Sequence, residues 1–84
     1  MAILRLPAVK AEYGWRSHAS VYNAINAGLF TKPVNIGLRS VGWPDDEVKA
    51  LCAARIAGLS DDQIREVVNT LHSKRAERLA ALMV

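Results

Sequence analysis

The stretch SHASVYNAINAGLFTKPVNIGLRSVGW, residues 17 to 43, decides the fold. Ser17 suits a helix N-cap, its hydroxyl accepting from an otherwise orphan amide, and Gly28 suits a stop, so a helix is expected over residues 18 to 27. Beyond Gly28 the period of the pattern changes from that of a helix to that of a strand. Lys32-Pro33-Val34-Asn35-Ile36, then Gly37-Leu38, then Arg39-Ser40-Val41-Gly42-Trp43 alternate apolar and polar residues around a turn, the signature of a hairpin. A helix followed by a β-ribbon with Arg39 near its tip is the order of a winged helix-turn-helix. That order makes double-stranded DNA the leading candidate ligand.

The faces of these elements sharpen the expectation. At about 100° per residue, Val21, Ala24 and Ile25 share the side of the helix that meets its neighbour, while Ala19, Ser20, Asn23 and Asn26 face away. A small, polar outward face suits insertion into the major groove, where Asn can give and accept hydrogen bonds at the edge of adenine. His18, in the first turn, is placed to meet a phosphate or a base. In the hairpin, Val34, Ile36, Val41 and Trp43 are expected to point to the core, leaving Asn35, Arg39 and Ser40 outside. An arginine at a wing can enter a narrow minor groove or bind phosphate.

Upstream, Ile3-Leu4-Arg5-Leu6 reads as a brief extended piece, and a helix is expected over residues 7 to 13, with Pro7 in its first turn and Gly14 at its end. Downstream, a third helix starts after Trp43 with Pro44 in its first turn. Asp45, Asp46 and Glu47 there complement the positive helix end. Its expected core stripe is Val48, Leu51, Cys52, Arg55 and Ile56, with Cys52 a small buried hydrophobe and not a nucleophile. Ser60-Asp61-Asp62-Gln63 is a capping box that opens a fourth helix. Ile64, Val67, Val68 and Leu71 form one stripe of it, which Arg75 and Arg78 interrupt before Leu79 and Leu82. The first turns are expected to close the core, and the later ones fit either pairing with a second copy or a loose basic tail. The fold class is therefore mainly α with a small β-hairpin: a winged helix-turn-helix over residues 1 to 57, and a C-terminal helical extension over 58 to 84 that packs on it or mediates self-association.

Charge placement agrees with a phosphate-facing half. The 84 residues are 51% apolar with a net charge of +3. Residues 1 to 43 carry Arg5, Lys10, Arg16, Lys32 and Arg39 against Glu12 alone, a balance of +4, whereas the remainder balances at −1. Other classes recede. A lone cysteine cannot form an intrachain disulfide and fits a reducing cytoplasm, and two separated histidines give no metal-ligand spacing. No apolar run approaches the roughly 20 residues of a membrane span. No paired carboxylates, Ser/His/Asp set or Gly-rich phosphate loop suggests an enzyme or a cofactor.

Ile3-Leu4-Arg5-Leu6-Pro7-Ala8-Val9, residues 17 to 22, Gly28-Leu29-Phe30, Lys32-Pro33-Val34, Ile36-Gly37 and Arg39-Ser40-Val41-Gly42-Trp43 with Glu47-Val48 together resemble the AlpA family of prophage regulatory proteins, over about residues 3 to 57. The resemblance implies an excisionase-like, MerR-related winged helix that binds DNA near prophage integration genes, as a transcription regulator or as an architectural factor for excision. It aligns His18, Ser20, Asn23 and Asn26 with the family's recognition-helix surface, and Lys32, Asn35, Arg39 and Ser40 with its wing. Two departures stand out. The family usually carries basic residues where this chain has Asn23 and Asn26, and the turn before Ser17 holds one extra residue, with Trp15 and Arg16 in place of a short Leu-Ser-type turn.

The expected DNA-binding set is thus Arg16, Ser17, His18, Ser20, Asn23, Asn26, Lys32, Asn35, Arg39 and Ser40, with the helix in the major groove and the hairpin on the adjacent backbone or minor groove. One such unit touches few bases, so specificity calls for a homodimer or cooperative neighbours through the 60 to 84 helix. The competing class is a protein-interaction module in which the same fold contacts an integrase or an RNA polymerase subunit.

Overall fold

A computed structural model describes residues 2 to 83; Met1 and Val84, the ends of the two segments drawn from the sequence, lie outside them. The elements run β1 (Ile3–Leu4), α1 (Leu6–Tyr13), α2 (His18–Asn26), β2 (Val34–Gly37), β3 (Ser40–Pro44), α3 (Asp45–Ile56) and α4 (Asp61–Leu82). The arrangement is a winged helix-turn-helix with a fourth, C-terminal helix. The brief extended piece at the start is not idle: β1 pairs antiparallel with β3, Ile3 opposite Pro44 and Leu4 opposite Trp43, giving a sheet of order β1-β3-β2.

Local chemistry explains the boundaries. Ser17 caps α2 by accepting the Ser20 amide at 3.2 Å. At the other end Gly28 takes a left-handed φ of 77°, and its amide and that of Leu29 return to the carbonyls of Ile25 and Ala24. This pairing of the last carbonyls is the Schellman arrangement, and it needs a residue without a Cβ penalty where the chain reverses. The capping box of α4 is complete, with Ser60 Oγ accepting the Gln63 amide and Gln63 Oε1 accepting the Ser60 amide. Pro44 departs from expectation: it ends β3 with its ring buried and occupies the N-cap position of α3 instead of its first turn.

The core joins every layer: Val9, Val21, Phe30, Trp43, Val48, Leu51, Ala54, Ile64 and Val68 form one buried cluster. Trp15, in the turn between α1 and α2, folds inward. Its ring centroid lies 4.2 Å from that of Tyr13 and 5.0 Å from that of Phe30, the latter edge-on, so the turn is anchored by aromatic packing. Trp43 Nε1 donates to the Thr31 carbonyl at 2.9 Å, tying the loop after α2 to β3 in the interior.

Two core assignments made from periodicity are corrected. Ile36 is 41% exposed because the hairpin register shifts between Asn35 and Gly37: Asn35 opposes Val41 and Gly37 opposes Ser40, which leaves Ile36 as the extra residue of a bulge. Ile56 is 87% exposed and Arg55 lies at the surface, while Cys52 is half-buried. The buried line of α3 runs instead through Glu47, Val48, Leu51 and Ala54, because α4 folds back against that side of the helix.

Two substitutions test this packing. A Cβ at Gly42 would drive into the Ile3 side chain and come within 3.0 Å of the Leu4 carbonyl oxygen, so Gly42→Ala should lever β1 off β3 and lower stability by ~1–3 kcal/mol in chemical denaturation. The Thr31 hydroxyl is buried without a hydrogen-bond partner among the described residues. Thr31→Val keeps the shape and removes the unpaired group, and should raise stability by about 1 kcal/mol.

Candidate nucleic-acid interface

Burial of Val21, with Ala24 and Ile25 half-buried beside it, turns the opposite side of α2 outward. At about 100° per residue that side is a continuous strip of His18, Ala19, Tyr22, Asn23 and Asn26, all exposed. The side chains of His18, Asn23 and Asn26 have no hydrogen-bond or ion-pair partner among the described residues. Their donors and acceptors stay hydrated and available to a ligand. Tyr22 was not singled out from the sequence, although its spacing of four from both His18 and Asn26 places it at the centre of the strip. Ser20 belongs to the margin: it is half-buried, and its hydroxyl lies 3.0 Å from that of Ser17, so both serines serve the cap of the helix.

The wing presents a second group. Leu38 and Arg39 form the turn between Gly37 and Ser40, and Leu38 is 93% exposed. Arg39 is the sole described non-glycine residue with positive φ, at 58°. A β-carbon in the left-handed region costs roughly 1–2 kcal/mol, which the hairpin tolerates to put a guanidinium at its tip. Asn35 is exposed on β2 opposite Val41, and Ser40 is half-buried with its hydroxyl turned toward the Leu38 carbonyl. Arg16, just before the cap of α2, and Arg5, before α1, add exposed cations.

Lys32 lies between the two groups, at the root of the wing. Its side chain is exposed while its main chain is gripped from α4: the amide donates to His72 Nε2 at 3.0 Å and the carbonyl accepts from Arg75 Nη2 at 2.7 Å. Arg75 is itself held by the buried Glu47 carboxylate, through Nε at 2.8 Å and Nη2 at 2.6 Å. Arg78 pairs with Asp46. The two arginines that interrupt the apolar stripe of α4 are therefore pairing residues on the packed side of the helix. At the other end of the connector Arg65 Nε donates to the carbonyl of Ala27, the residue that follows Asn26 at the end of α2, at 2.9 Å. No sequence signal marks these three contacts, since the partners lie about 40 residues apart.

Elsewhere, an open groove of about 350 Å³ between α1 and α3 is lined by Tyr13, Trp15, Cys52, Arg55 and Ile56 among others. Burial, with a smaller contribution from the Glu12 carboxylate, pushes the Cys52 thiol up from its ordinary value, so it is a poor nucleophile at neutral pH. Burial likewise raises the Tyr13 phenol, partly offset by Arg55, whose Nε donates to its oxygen at 3.2 Å. Among the described residues no group of His, Cys, Asp and Glu could hold a metal ion, and no helix is long and apolar enough to cross a membrane.

A two-helix turn, an open polar strip on its second helix and a cation-tipped hairpin define a small winged helix-turn-helix protein. The family model described as prophage CP4-57 regulatory protein (AlpA) matches residues 2–56, and the chain belongs to this family of prophage regulators. No curated protein and no solved structure matches the chain.

His72 gives the site a pH signature. Burial, then the Arg75 charge, holds its imidazole below the ordinary value of 6.5, with a smaller push from Lys32 and an opposing pull from Glu47. The folded state thus favours the neutral ring that accepts from Lys32, and between the folded and unfolded values the unfolded chain binds more protons. The contribution is complete above about pH 6.5 and is lost as pH falls through the folded value. Denaturation midpoints measured between about pH 7 and about pH 5.5 should fall less for His72→Gln than for the natural chain.

Proposed function

We propose that the chain binds double-stranded DNA sequence-specifically, with α2 in the major groove and the wing on the adjacent backbone or minor groove, and so regulates transcription of prophage integration and excision genes. The observation that carries this reading is the strip of His18, Tyr22, Asn23 and Asn26, exposed, free of lysine, arginine and carboxylates, and without polar partners among the described residues, on the helix that precedes a wing bearing Arg39. Base edges are read by side chains that both donate and accept, and Asn is bidentate to adenine. Phosphates are met by cations, here the exposed Arg5, Arg16, Lys32 and Arg39, which fix register without reading sequence. Tyr22 adds a hydroxyl suited to a phosphate, and Leu38 an apolar tip of the kind that wedges into a minor groove.

A single copy offers about four base-reading side chains, too few for a unique operator, so occupancy by two or more copies on repeated sites supplies the remaining discrimination. The exposed Leu79, Leu82 and Met83 at the end of α4 favour self-association there.

The division of labour is tested by mobility shift against the DNA upstream of the chain's own gene and a nearby attachment site, over a range of salt. Arg39→Gly should relieve the left-handed strain, leaving stability equal or higher by ~0.5–1 kcal/mol, yet weaken binding to all sequences and reduce the salt slope by about one. Asn23→Ala should leave the slope alone and relax preference at one base position, costing roughly 1–3 kcal/mol on the preferred sequence. A full-length chain that shifts neither DNA at low salt would refute the reading.

A further inference from the structure

We infer that Arg65, His72 and Arg75 of α4 are positioning residues of the interface, which grip the connector between α2 and the wing by its main chain and thereby set the angle between them. Spacings of seven and three residues place the three side chains along one side of α4. Each addresses a main-chain atom of the connector: Arg65 the carbonyl of Ala27, His72 the amide of Lys32, and Arg75 the carbonyl of Lys32. Burial of the Phe30 ring and of Thr31 in the core holds the middle of the connector, and its main chain on either side is fixed by few other bonds. Gly28 and Leu29 are tied back to α2, but residues 30 to 33 make no main-chain to main-chain hydrogen bond among the described residues. Besides the Trp43 bond to Thr31, the polar contacts that locate this segment come from α4.

The grip is rigid because its strongest member is fixed from two sides. Arg75 forms two parallel bonds to the Glu47 carboxylate, which is only 1% exposed, and the same Nη2 reaches Lys32. A planar guanidinium held in this fork has little freedom, so the Lys32 carbonyl is referred directly to the start of α3. Lys32 is two residues from β2. A change in its orientation swings the hairpin, and with it Arg39, relative to the strip on α2. All three residues lie beyond the segment matched to the family, so the helix-turn-helix and wing of this chain are aligned by a part of it outside that segment.

The consequence for DNA rests on the binding proposed above, whereas the grip itself is measurable on the free protein. In the full chain, the double variant Glu47→Met with Arg75→Met replaces the buried pair by apolar side chains, an exchange that is often neutral or stabilising, and removes the bond to Lys32. The free variant is expected to melt as the natural chain does while the Lys32 amide exchanges about tenfold faster and backbone order parameters across residues 34 to 43 fall. His72→Leu, in a less buried part of the grip, should also speed Lys32 exchange, and His72→Gln, which retains an acceptor, should restore it. On DNA, the double variant should bind about tenfold more weakly and make Arg39→Gly cost nothing further, while Asn23→Ala costs what it does in the natural background. A folded double variant, or His72→Leu, with natural Lys32 exchange and hairpin order would overturn the inference. So would full additivity of the double variant with Arg39→Gly. If the natural chain binds neither DNA, the DNA reading falls, and the exchange and order measurements still decide the grip.

Discussion

The Glu47–Arg75 ion pair is the constraint on which the arrangement of this molecule turns. A carboxylate removed from water loses several kcal/mol of hydration, and Glu47 recovers it from a bidentate guanidinium and from its place in the first turn of α3, where the helix dipole favours negative charge. Leaving either partner alone would strand a buried charge at a cost of ~3–5 kcal/mol. α4 can therefore dock in one register only. A slide of one turn would carry Arg75 about 5 Å away and orphan the carboxylate. With the register fixed, Ile64 and Val68 fall into the core, Arg65 reaches the end of α2, and His72 and the same Nη2 of Arg75 that binds Glu47 meet Lys32. A single electrostatic requirement thus positions both the apolar closure of the domain and the polar contacts to the connector.

What was legible in the sequence was chemistry that acts within about four residues. The Ser17 cap, the Gly28 reversal and the Ser60–Gln63 box each depend on a donor and an acceptor one turn apart, and all three stand where the residue types place them. The winged order of helix and hairpin followed from the same local signals. Ile36 was misplaced because a bulge depends on the twist of two strands on each other, and alternation in one strand cannot reveal it. Ile56 was misplaced because α3 could present either of two overlapping stripes, and the choice is made by α4, whose contacts span about 28 residues. Arg75 and Arg78 looked like faults in an apolar stripe for the same reason: a charge on a packed face makes sense only once its partner is known. In the strip on α2, periodicity places Asn23 and Asn26 outward as the structure has them, whereas Ser20 lies at its half-buried margin, drawn to the Ser17 cap, and Tyr22 takes an exposed place in the strip.

The candidate interface keeps its arginines and lysines off the polar strip of α2. Asn23 and Asn26 hold no partner among the described residues, so their hydrogen-bonding capacity costs nothing in the free protein, where water satisfies it. Arg39 is kept at the tip of the wing in a conformation that glycine would adopt without strain. Local stability would be served by another residue there, so the observed outlier points to a role outside the folded chain. On the DNA-binding reading proposed above, a face without lysine or arginine would lower sequence-independent attraction relative to a helix lined with them, and would shift the burden of affinity to the wing and to additional copies.

The family match and the packing have different boundaries. The matched segment closes at residue 56, the last of α3, yet the fully buried Val48 and Leu51 of that helix share their cluster with Ile64 and Val68 of α4. Each such side chain, removed from water, stabilises the fold by about 1.5–3 kcal/mol, a large share of the stability of a domain of this size. In this chain α4 supplies that cover in cis. The side of the helix that does so also carries Arg65, His72 and Arg75, so any shift that loosened the core would change the seat of Lys32 as well. Stability and the geometry of the interface are coupled through one helix: a partner that engaged the exposed end of α4, at Leu79 and Leu82, would act on the element that holds the wing, without touching the strip on α2.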